Sequence, residues 1–181
     1  MNYELNKVVI IGSGNLAEAL ARAVAKSGLE LVQIFARNAE RARIIAELTA
    51  TDWATHPGML AQDADIYLIA VSDKAVEHVA ATLPIPEGAA VAHTAGSVPL
   101  AAIPEKFAHR AVFYPMQTFT KGREVDFSVI PVFLETPSAE LRPELEAFAR
   151  QLSGTVIWAT SEQRARVHLA AVFACNFAYH M

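Results

Sequence analysis

Short apolar runs recur along the chain and alternate with segments that have the periodicity of amphipathic helices. The first run, Lys7–Ile11, is continuous and rich in β-branched residues, as buried strands of parallel sheets are. Apolar residues then recur at helical spacing from Ala17 to Val24, and Gly28 is a natural helix stop. The same patterns predict strands at 31–36, 50–55, 66–71, 90–94, 111–114, 130–134 and 155–159. They predict helices at 39–48, 138–152 and 161–181. They also predict a helix that is capped at 72–73 and ends at 83, and a helical turn at 59–62.

Strands that alternate with helices at this interval indicate βαβ units and a mostly parallel sheet. Right-handed crossovers place helices on both faces of such a sheet, which explains why the strands are continuously apolar. The predicted strand 130–134 contains Pro131. We therefore expect this strand to lie at a sheet edge, or the proline to lie at the start of the strand. We therefore predict an α/β fold with a doubly wound, mostly parallel Rossmann sheet over residues 1–159. Residues 160–181 would be the first helix of an all-α C-terminal domain.

The predicted last helix differs from the others in its apolar surface. We expect Ser161 to cap it, and beyond Arg166 it is apolar on nearly every side, so Cys175 should be buried. A helix that is apolar all round must be covered by more than one neighbour. Because this sequence offers nothing after Met181 to cover it, we expect either a chain cut off within the helical domain or a homodimer formed through this helix.

Composition narrows the functional class. The 181 residues include 15 Lys and Arg against 19 Asp and Glu, with 53% hydrophobic and 19% charged residues. This balance excludes intrinsic disorder and a basic nucleic-acid footprint. No apolar run reaches the ~18 residues of a transmembrane helix, and the N-terminus lacks a signal-type stretch. One cysteine excludes an internal disulfide framework, and the six histidines form no close ligand set. We expect a cytoplasmic protein without a metal, a membrane or a nucleic-acid partner.

The strongest chemical signal is a G-x-G-x-x-A pattern, Gly12-Ser13-Gly14-Asn15-Leu16-Ala17, that follows the first strand and opens the first helix. Gly12 permits the tight turn, Gly14 lets backbone N–H groups approach a pyrophosphate, and Ala17 allows close packing of helix on strand. The phosphates would then lie at the positive end of the helix. We predict dinucleotide binding by residues that include Gly12, Ser13, Gly14, Asn15 and Leu16.

The end of the second predicted strand distinguishes between cofactors. NAD-binding folds place an acidic residue there for the ribose hydroxyls, whereas this chain has Ala36-Arg37-Asn38. Arg37 can pair with a 2′-phosphate, Asn38 can hydrogen-bond the same group, and Arg41 and Arg43 add positive charge nearby. The sequence therefore predicts NADP(H) rather than NAD(H).

Three further strand ends should line the crevice, because ligands of open α/β sheets bind outside the carboxyl ends of the strands. We assign Val71 and Ser72 to the cofactor, together with Thr94 and the small residue Gly96 beside the nicotinamide ribose. Neutral hydrogen-bonding groups would orient a substrate, and the candidates are Ser97, Gln117 and Thr118. Ser97 could equally cap a helix before Pro99.

Together, the fingerprint, the Arg37 ending, the segments 93–97 and 114–119, and the helix carrying His168 and Asn176 resemble one family. It comprises Rossmann-like proteins labelled NADP oxidoreductases of the deazaflavin-coenzyme-dependent type, whose C-terminal helical domain has no known function. They are similar to pyrroline-5-carboxylate reductases and 6-phosphogluconate-type dehydrogenases. The resemblance covers essentially the whole chain. Members continue for several more helices, and they usually have His where Tyr114 stands.

The resemblance implies that the helix leaving the Rossmann domain closes over the nicotinamide. His168 and Asn176 are therefore candidate catalytic residues, with His168 as a proton donor near neutral pH. His168 could instead be a structural residue of the domain interface. We predict an NADP(H)-dependent oxidoreductase that transfers hydride to or from a small C=O or C=N substrate. There are two alternatives: a non-catalytic NADP(H)-binding sensor or regulator, and a fragment whose helix mainly serves dimerisation. The Rossmann fold hosts proteins of all three kinds, so the fold does not decide between them.

Overall fold

A computed structural model describes residues 4–180, and for Tyr179 its backbone alone. The eight strands in this range are β1 (Lys7–Ile11), β2 (Glu30–Phe35), β3 (Asp52–Ala54), β4 (Ile66–Ile69), β5 (Ala90–His93), β6 (His109–Pro115), β7 (Val132–Glu135) and β8 (Val156–Trp158). The five α-helices are α1 (Asn15–Lys26), α2 (Ala39–Thr49), α3 (Val76–Thr82), α4 (Leu141–Leu152) and α5 (Ser161–Tyr179).

All eight strands belong to one sheet in the order β3-β2-β1-β4-β5-β6-β7-β8. The pairs from β3 to β6 are parallel, β7 runs antiparallel to β6, and β8 is parallel to β7. The predicted doubly wound, mostly parallel Rossmann sheet is therefore confirmed. The strand order reverses between β1 and β4, which opens a crevice at the carboxyl ends of these strands.

The core lies on both faces of the sheet, as the continuous apolar strands predict. On one face, Val8 and Ile10 pack with the apolar side of α1, which contributes Leu20 among others. On the other face, Val9 and Ile11 join a second buried cluster. Successive residues of β1 thus point in opposite directions, and both sets are buried. This burial on both faces fixes the position of the turn between β1 and α1 relative to the sheet.

Several predicted elements are shifted or shortened. The helical turn lies at Pro57–Met59, so it begins two residues before the predicted 59–62 and overlaps it only at Met59. The helix expected after 72–73 is a 3₁₀ turn at Asp73–Ala75 followed by α3. Strand β7 is not at an edge, because it lies between β6 and β8. Pro131 directly precedes β7, where its missing N–H removes no ladder hydrogen bond.

The start of α5 is fixed differently from the prediction. Thr160, not Ser161, caps the helix: its side chain accepts from the Gln163 N–H, and the Gln163 side chain accepts from the Thr160 N–H. This capping box leaves the Ser161 hydroxyl free to donate to the Glu135 carboxylate at 2.8 Å. The first turn of α5 is thus tied to the end of β7.

The later turns of α5 are open in the single chain. The side chains of Leu169, Val172, Phe173 and Phe177 are exposed, with 72% of Phe173 accessible to solvent. Cys175 is exposed too, so its predicted burial is wrong for this chain alone. The predicted homodimer and the division between 1–159 and 160–181 stay predictions, and Met181 and residues 1–3 lie outside the described residues. Within residues 4–180, no helix has the length and apolar character needed to cross a membrane.

Candidate functional site

A cleft of about 780 Å³ opens where the strand order reverses. Its lining comes from the β1–α1 turn, the end of β2 and the segment after β4. Nearly all the predicted cofactor residues meet there: Gly12, Ser13, Gly14, Asn15, Leu16, Arg37, Asn38, Val71 and Ser72. The topology thus gathers these three separate sequence segments around one space.

The two glycines of the turn have different physical roles. Gly12 adopts a positive φ of 132°, and a Cβ there would lie 2.7 Å from the Ala70 carbonyl carbon and closer still to its oxygen. A larger residue at Gly12 would therefore strain the backbone and collide with the end of β4. A Cβ at Gly14 would meet nothing within 4 Å. The absent side chain at Gly14 thus leaves open space beside the N-terminus of α1, as a bound phosphate group requires.

An ion-pair cluster around the buried Glu18 stabilises the turn between β1 and α1. Glu18 is only 6% exposed and pairs with Arg41 at 2.9 Å and Arg22 at 3.1 Å. Burial acts to raise the pKa of Glu18, but the hydrogen bonds from Arg41 and Arg22 outweigh it and hold the pKa below its ordinary value. Arg41 also donates to the Ser13 carbonyl at 3.2 Å. Its guanidinium therefore fixes the turn.

The charge near Arg37 is less than the sequence suggests. Arg41 pairs with Glu18, and Arg43 pairs with Glu47 at 2.9 Å. Neither is therefore the free positive group that the sequence led us to expect. Arg37 is exposed at the end of β2 and lines the cleft, and no ion pair engages it within residues 4–180. Asn38 caps α2 by accepting from the Arg41 N–H. Arg37 is thus a charged basic group that the cleft presents to a ligand.

Three predicted residues near the end of β5 do not line the cleft. Thr94 is buried, and its hydroxyl donates to the Ile69 carbonyl at 3.2 Å. Gly96 is also buried, and a Cβ there would lie 2.7 Å from both the His168 Cγ and the Tyr114 Cζ atoms. Ser97 donates to the Asp73 carboxylate at 2.8 Å. The roles of these three residues in binding stay predictions. In this structure each of them contacts another part of the protein instead.

A second cleft of about 430 Å³ lies between the end of β6 and α5. It brings together residues that are 50 or more positions apart: Gln117 and Thr118 from the loop after β6, with His168 and Asn176 from α5. Cys175, Ala171 and Val172 complete the helical wall. Four of the five predicted substrate and catalytic residues thus share one cleft, and the fifth, Ser97, does not line it.

Tyr114 is a lining residue of this second cleft that the sequence did not select. Its hydroxyl oxygen lies 2.8 Å from the Nδ1 atom of His168, and the two rings pack edge to face at 5.6 Å. Tyr114 is 7% exposed, and burial raises the pKa of its phenol. The departure from histidine at position 114 was the available signal, but only the fold places this residue beside His168.

Buried polar contacts hold α5 against the loop after β5. Arg164, 1% exposed, pairs with Glu135 at 2.5 Å and donates to the Val98 carbonyl. His93 is fully buried, accepts from the Ala95 N–H at Nδ1 and lies 3.2 Å from the Pro99 carbonyl at Nε2. Burial, followed by the charge of Arg164, lowers the His93 pKa to about 4, so the ring is neutral.

Family comparisons divide the chain into two matched regions. Residues 7–95 match the family described as NADP oxidoreductase coenzyme F420-dependent. Residues 130–181 match the Domain of unknown function (DUF2520). No curated protein matches the chain. The first match contains the glycine turn and Arg37, and the second contains α5.

Solved structures resemble almost the whole chain. A Bacteroides fragilis protein, named a "putative NADP oxidoreductase", is 41% identical, with a TM-score of 0.87 over 97% of this chain and 69% of its own. A Thermotoga maritima protein is 25% identical, with a TM-score of 0.72 over 96% of this chain and 65% of its own. An imine reductase from Myxococcus stipitatus, in complex with NADP⁺, is 17% identical, with a TM-score of 0.72 over 96% of this chain and 62% of its own. This last likeness shows the fold alone.

Proposed function

The chain belongs to the family of Rossmann-like NADP oxidoreductases that carry a C-terminal domain of unknown function, and on this basis we propose that it binds NADP(H) and transfers hydride to or from a small C=O or C=N substrate. The family supports an oxidoreductase that uses a nicotinamide cofactor. The preference for NADP(H) and the class of substrate are our proposals. The observation that carries the cofactor preference is that Arg37 is exposed and makes no ion pair within residues 4–180, at the position where NAD-binding folds have an acid.

The residues of the first cleft fit a dinucleotide phosphate. The open space at Gly14 and the backbone N–H groups that begin α1 suit the pyrophosphate, and Arg37 with Asn38 suits the 2′-phosphate. Ser13, Asn15 and Leu16 would contact the cofactor from the turn, and Val71 and Ser72 from the segment after β4. A bound nicotinamide supplies the hydride chemistry. The protein's own task is to hold the cofactor and to orient a substrate beside it.

The second cleft supports the substrate side of the proposal. Gln117, Thr118 and Asn176 offer neutral hydrogen-bonding groups, which suit an uncharged carbonyl or imine. His168 faces the same cleft, and an imidazole can hold a proton near the heteroatom of the substrate at neutral pH. We assign His168 and Asn176 to catalysis and Gln117 and Thr118 to substrate orientation.

Two measurements made in sequence test this function. The protein is first titrated with NADPH and with NADH, and we expect tighter binding of NADPH. NADPH oxidation is then followed against a panel of small aldehydes, ketones and cyclic imines. Turnover with one of them supports the enzyme, whereas tight binding without turnover contradicts it and favours a redox sensor. Equal affinity for both nucleotides contradicts the NADP(H) preference.

We also propose a cytoplasmic homodimer that forms through α5. Leu169, Phe173 and Phe177 form part of an exposed apolar surface, and such patches are rare on soluble monomers. Sedimentation at micromolar concentration should give a dimer, and Phe173→Glu should give a monomer. A monomeric wild-type protein with α5 ordered contradicts the assembly without affecting the proposed chemistry. We propose that residues 160–181 begin a helical domain that serves this contact.

A further inference from the structure

Tyr114 and His168 form a hydrogen-bonded pair whose two members come from different parts of the fold. Tyr114 lies near the end of β6, and His168 lies in the second turn of α5. Their Oη and Nδ1 atoms are 2.8 Å apart, and both residues line the second cleft. The contact therefore joins the helix to the sheet at the place where a substrate would bind.

The partners of each atom determine which one donates. Burial raises the pKa of Tyr114, so its hydroxyl keeps its proton at neutral pH. Within residues 4–180, the hydroxyl has no acceptor other than His168 Nδ1, and His168 Nε2 has no hydrogen-bond partner. If Nδ1 carried the proton of a neutral ring, the hydroxyl proton of the Tyr114 side chain would have no protein acceptor within residues 4–180. Donation from Tyr114 to Nδ1 satisfies both groups and leaves the ring proton on Nε2.

Packing around the pair limits any other arrangement. Gly96 lies against both rings, and a Cβ there would be 2.7 Å from the His168 Cγ and from the Tyr114 Cζ atoms. Arg164 lies one turn before His168 on α5, and its buried pair with Glu135 fixes that turn against the sheet. Gly96 in the loop after β5 and Arg164 on α5 thus both restrict the positions of the two rings.

We infer that Tyr114 is a positioning residue that directs the Nε2–H group of His168 into the second cleft. His168 then presents a hydrogen-bond donor to the oxygen or nitrogen atom of a neutral carbonyl or imine substrate. Without the hydroxyl, the ring could rotate and exchange its proton between the two nitrogens. The inference rests on the proposed function for its purpose, but the hydrogen bond and the position of the proton can be tested without nucleotide or substrate.

Nuclear magnetic resonance of the histidine ring nitrogens tests the inference directly. In the wild-type protein at neutral pH, we expect the His168 ring proton on Nε2 and a slowly exchanging Tyr114 hydroxyl proton that correlates with Nδ1. In Tyr114→Phe, the Nδ1 resonance should shift downfield because it no longer accepts a hydrogen bond. The hydroxyl signal should disappear, and the ring-to-ring contacts should weaken.

Matched variants separate this effect from general loosening. Tyr67→Phe removes another buried hydroxyl, which donates to the Ala61 carbonyl at 2.6 Å, and should leave the His168 signals unchanged. Gly96→Ala should force the two rings apart and weaken the same wild-type signature. A wild-type ring proton on Nδ1, or His168 signals that Tyr114→Phe does not move, would overturn the inference. The wild-type spectrum alone decides the position of the proton if Tyr114→Phe fails to fold.

Discussion

Asn15 and Phe119 are joined by a hydrogen bond of 3.2 Å, in which the Asn15 side-chain amide donates to the Phe119 carbonyl. Asn15 is the first residue of α1 and lines the first cleft. Phe119 directly follows Gln117 and Thr118, which line the second cleft. One side-chain contact therefore connects the proposed cofactor site to the loop that would hold the substrate.

Asn15→Ala should release this loop. A hydrogen bond of this kind contributes about 1 kcal/mol, so amide hydrogens over 117–121 should exchange about fivefold faster in the variant. Asn38→Ala is the matched control, because Asn38 lines the same cleft but caps α2 and, within residues 4–180, makes no hydrogen bond with Phe119. Unchanged exchange in Asn15→Ala, or an equal increase in both variants, would show that the contact does not hold the loop.

The two glycines of the turn should separate folding from binding. Gly12→Ala forces a Cβ into the Ala70 carbonyl at a positive φ, so the free energy of unfolding should fall by about 1–3 kcal/mol. Gly14→Ala meets no protein atom and should leave stability nearly unchanged. Because its methyl group would enter the space proposed for the pyrophosphate, nucleotide binding should weaken about tenfold or more.

Urea unfolding and nucleotide titration of both variants check these expectations. Loss of stability in Gly14→Ala would mean that its open space is needed by the fold itself. Unchanged nucleotide affinity in a folded Gly14→Ala protein would remove the phosphates from this turn.

His93 should make stability depend on pH. The folded protein keeps the ring neutral down to a pKa of about 4, whereas the unfolded chain protonates it near the ordinary value of 6.5. Between these values the unfolded state binds more protons, so the free energy of unfolding should fall as the pH is lowered from about 6.5 to about 4. The loss should be about 3 kcal/mol in all. Above pH 7 this contribution is fully present.

Urea unfolding at several pH values should show a flatter dependence in His93→Asn than in the wild type. The Asn carbonyl can still accept from the Ala95 N–H, so the loop retains one of its contacts. Parallel curves for the two proteins between pH 4 and 6.5 would contradict a neutral, buried His93.

Most of the fold could be predicted because its signals are local. The buried strand Lys7–Ile11, the glycine turn and the α1 periodicity all lie within one βαβ unit, and the parallel sheet follows from repeating that unit. The shifted elements depend on contacts that sequence spacing does not carry. Ser161 has the residue type of a cap, but Thr160 and Gln163 together complete a capping box, and Glu135 engages Ser161 instead.

The candidate site could be predicted only in part, for a similar reason. Arg41 and Arg43 look like free positive charges in the sequence, but tertiary and helical contacts assign them to Glu18 and Glu47. Gly96 has the small size expected beside a cofactor, yet its space is filled by the rings of Tyr114 and His168. Which partner a side chain meets across the fold decides its role, and the residue type alone does not determine that partner.

Nucleotide affinity of Arg37→Ala tests the central claim most directly. Calorimetric titration of the wild type and the variant with NADPH and with NADH compares the four affinities, and Arg43→Ala is the control because its guanidinium pairs with Glu47 outside the cleft. A charge-assisted contact with the 2′-phosphate contributes about 1.5–3 kcal/mol. We expect Arg37→Ala to bind NADPH about tenfold or more weakly with NADH nearly unchanged, and Arg43→Ala to bind both as the wild type does. Equal losses for both nucleotides in Arg37→Ala, or no loss for either, would contradict the claim that Arg37 recognises the 2′-phosphate of NADP(H).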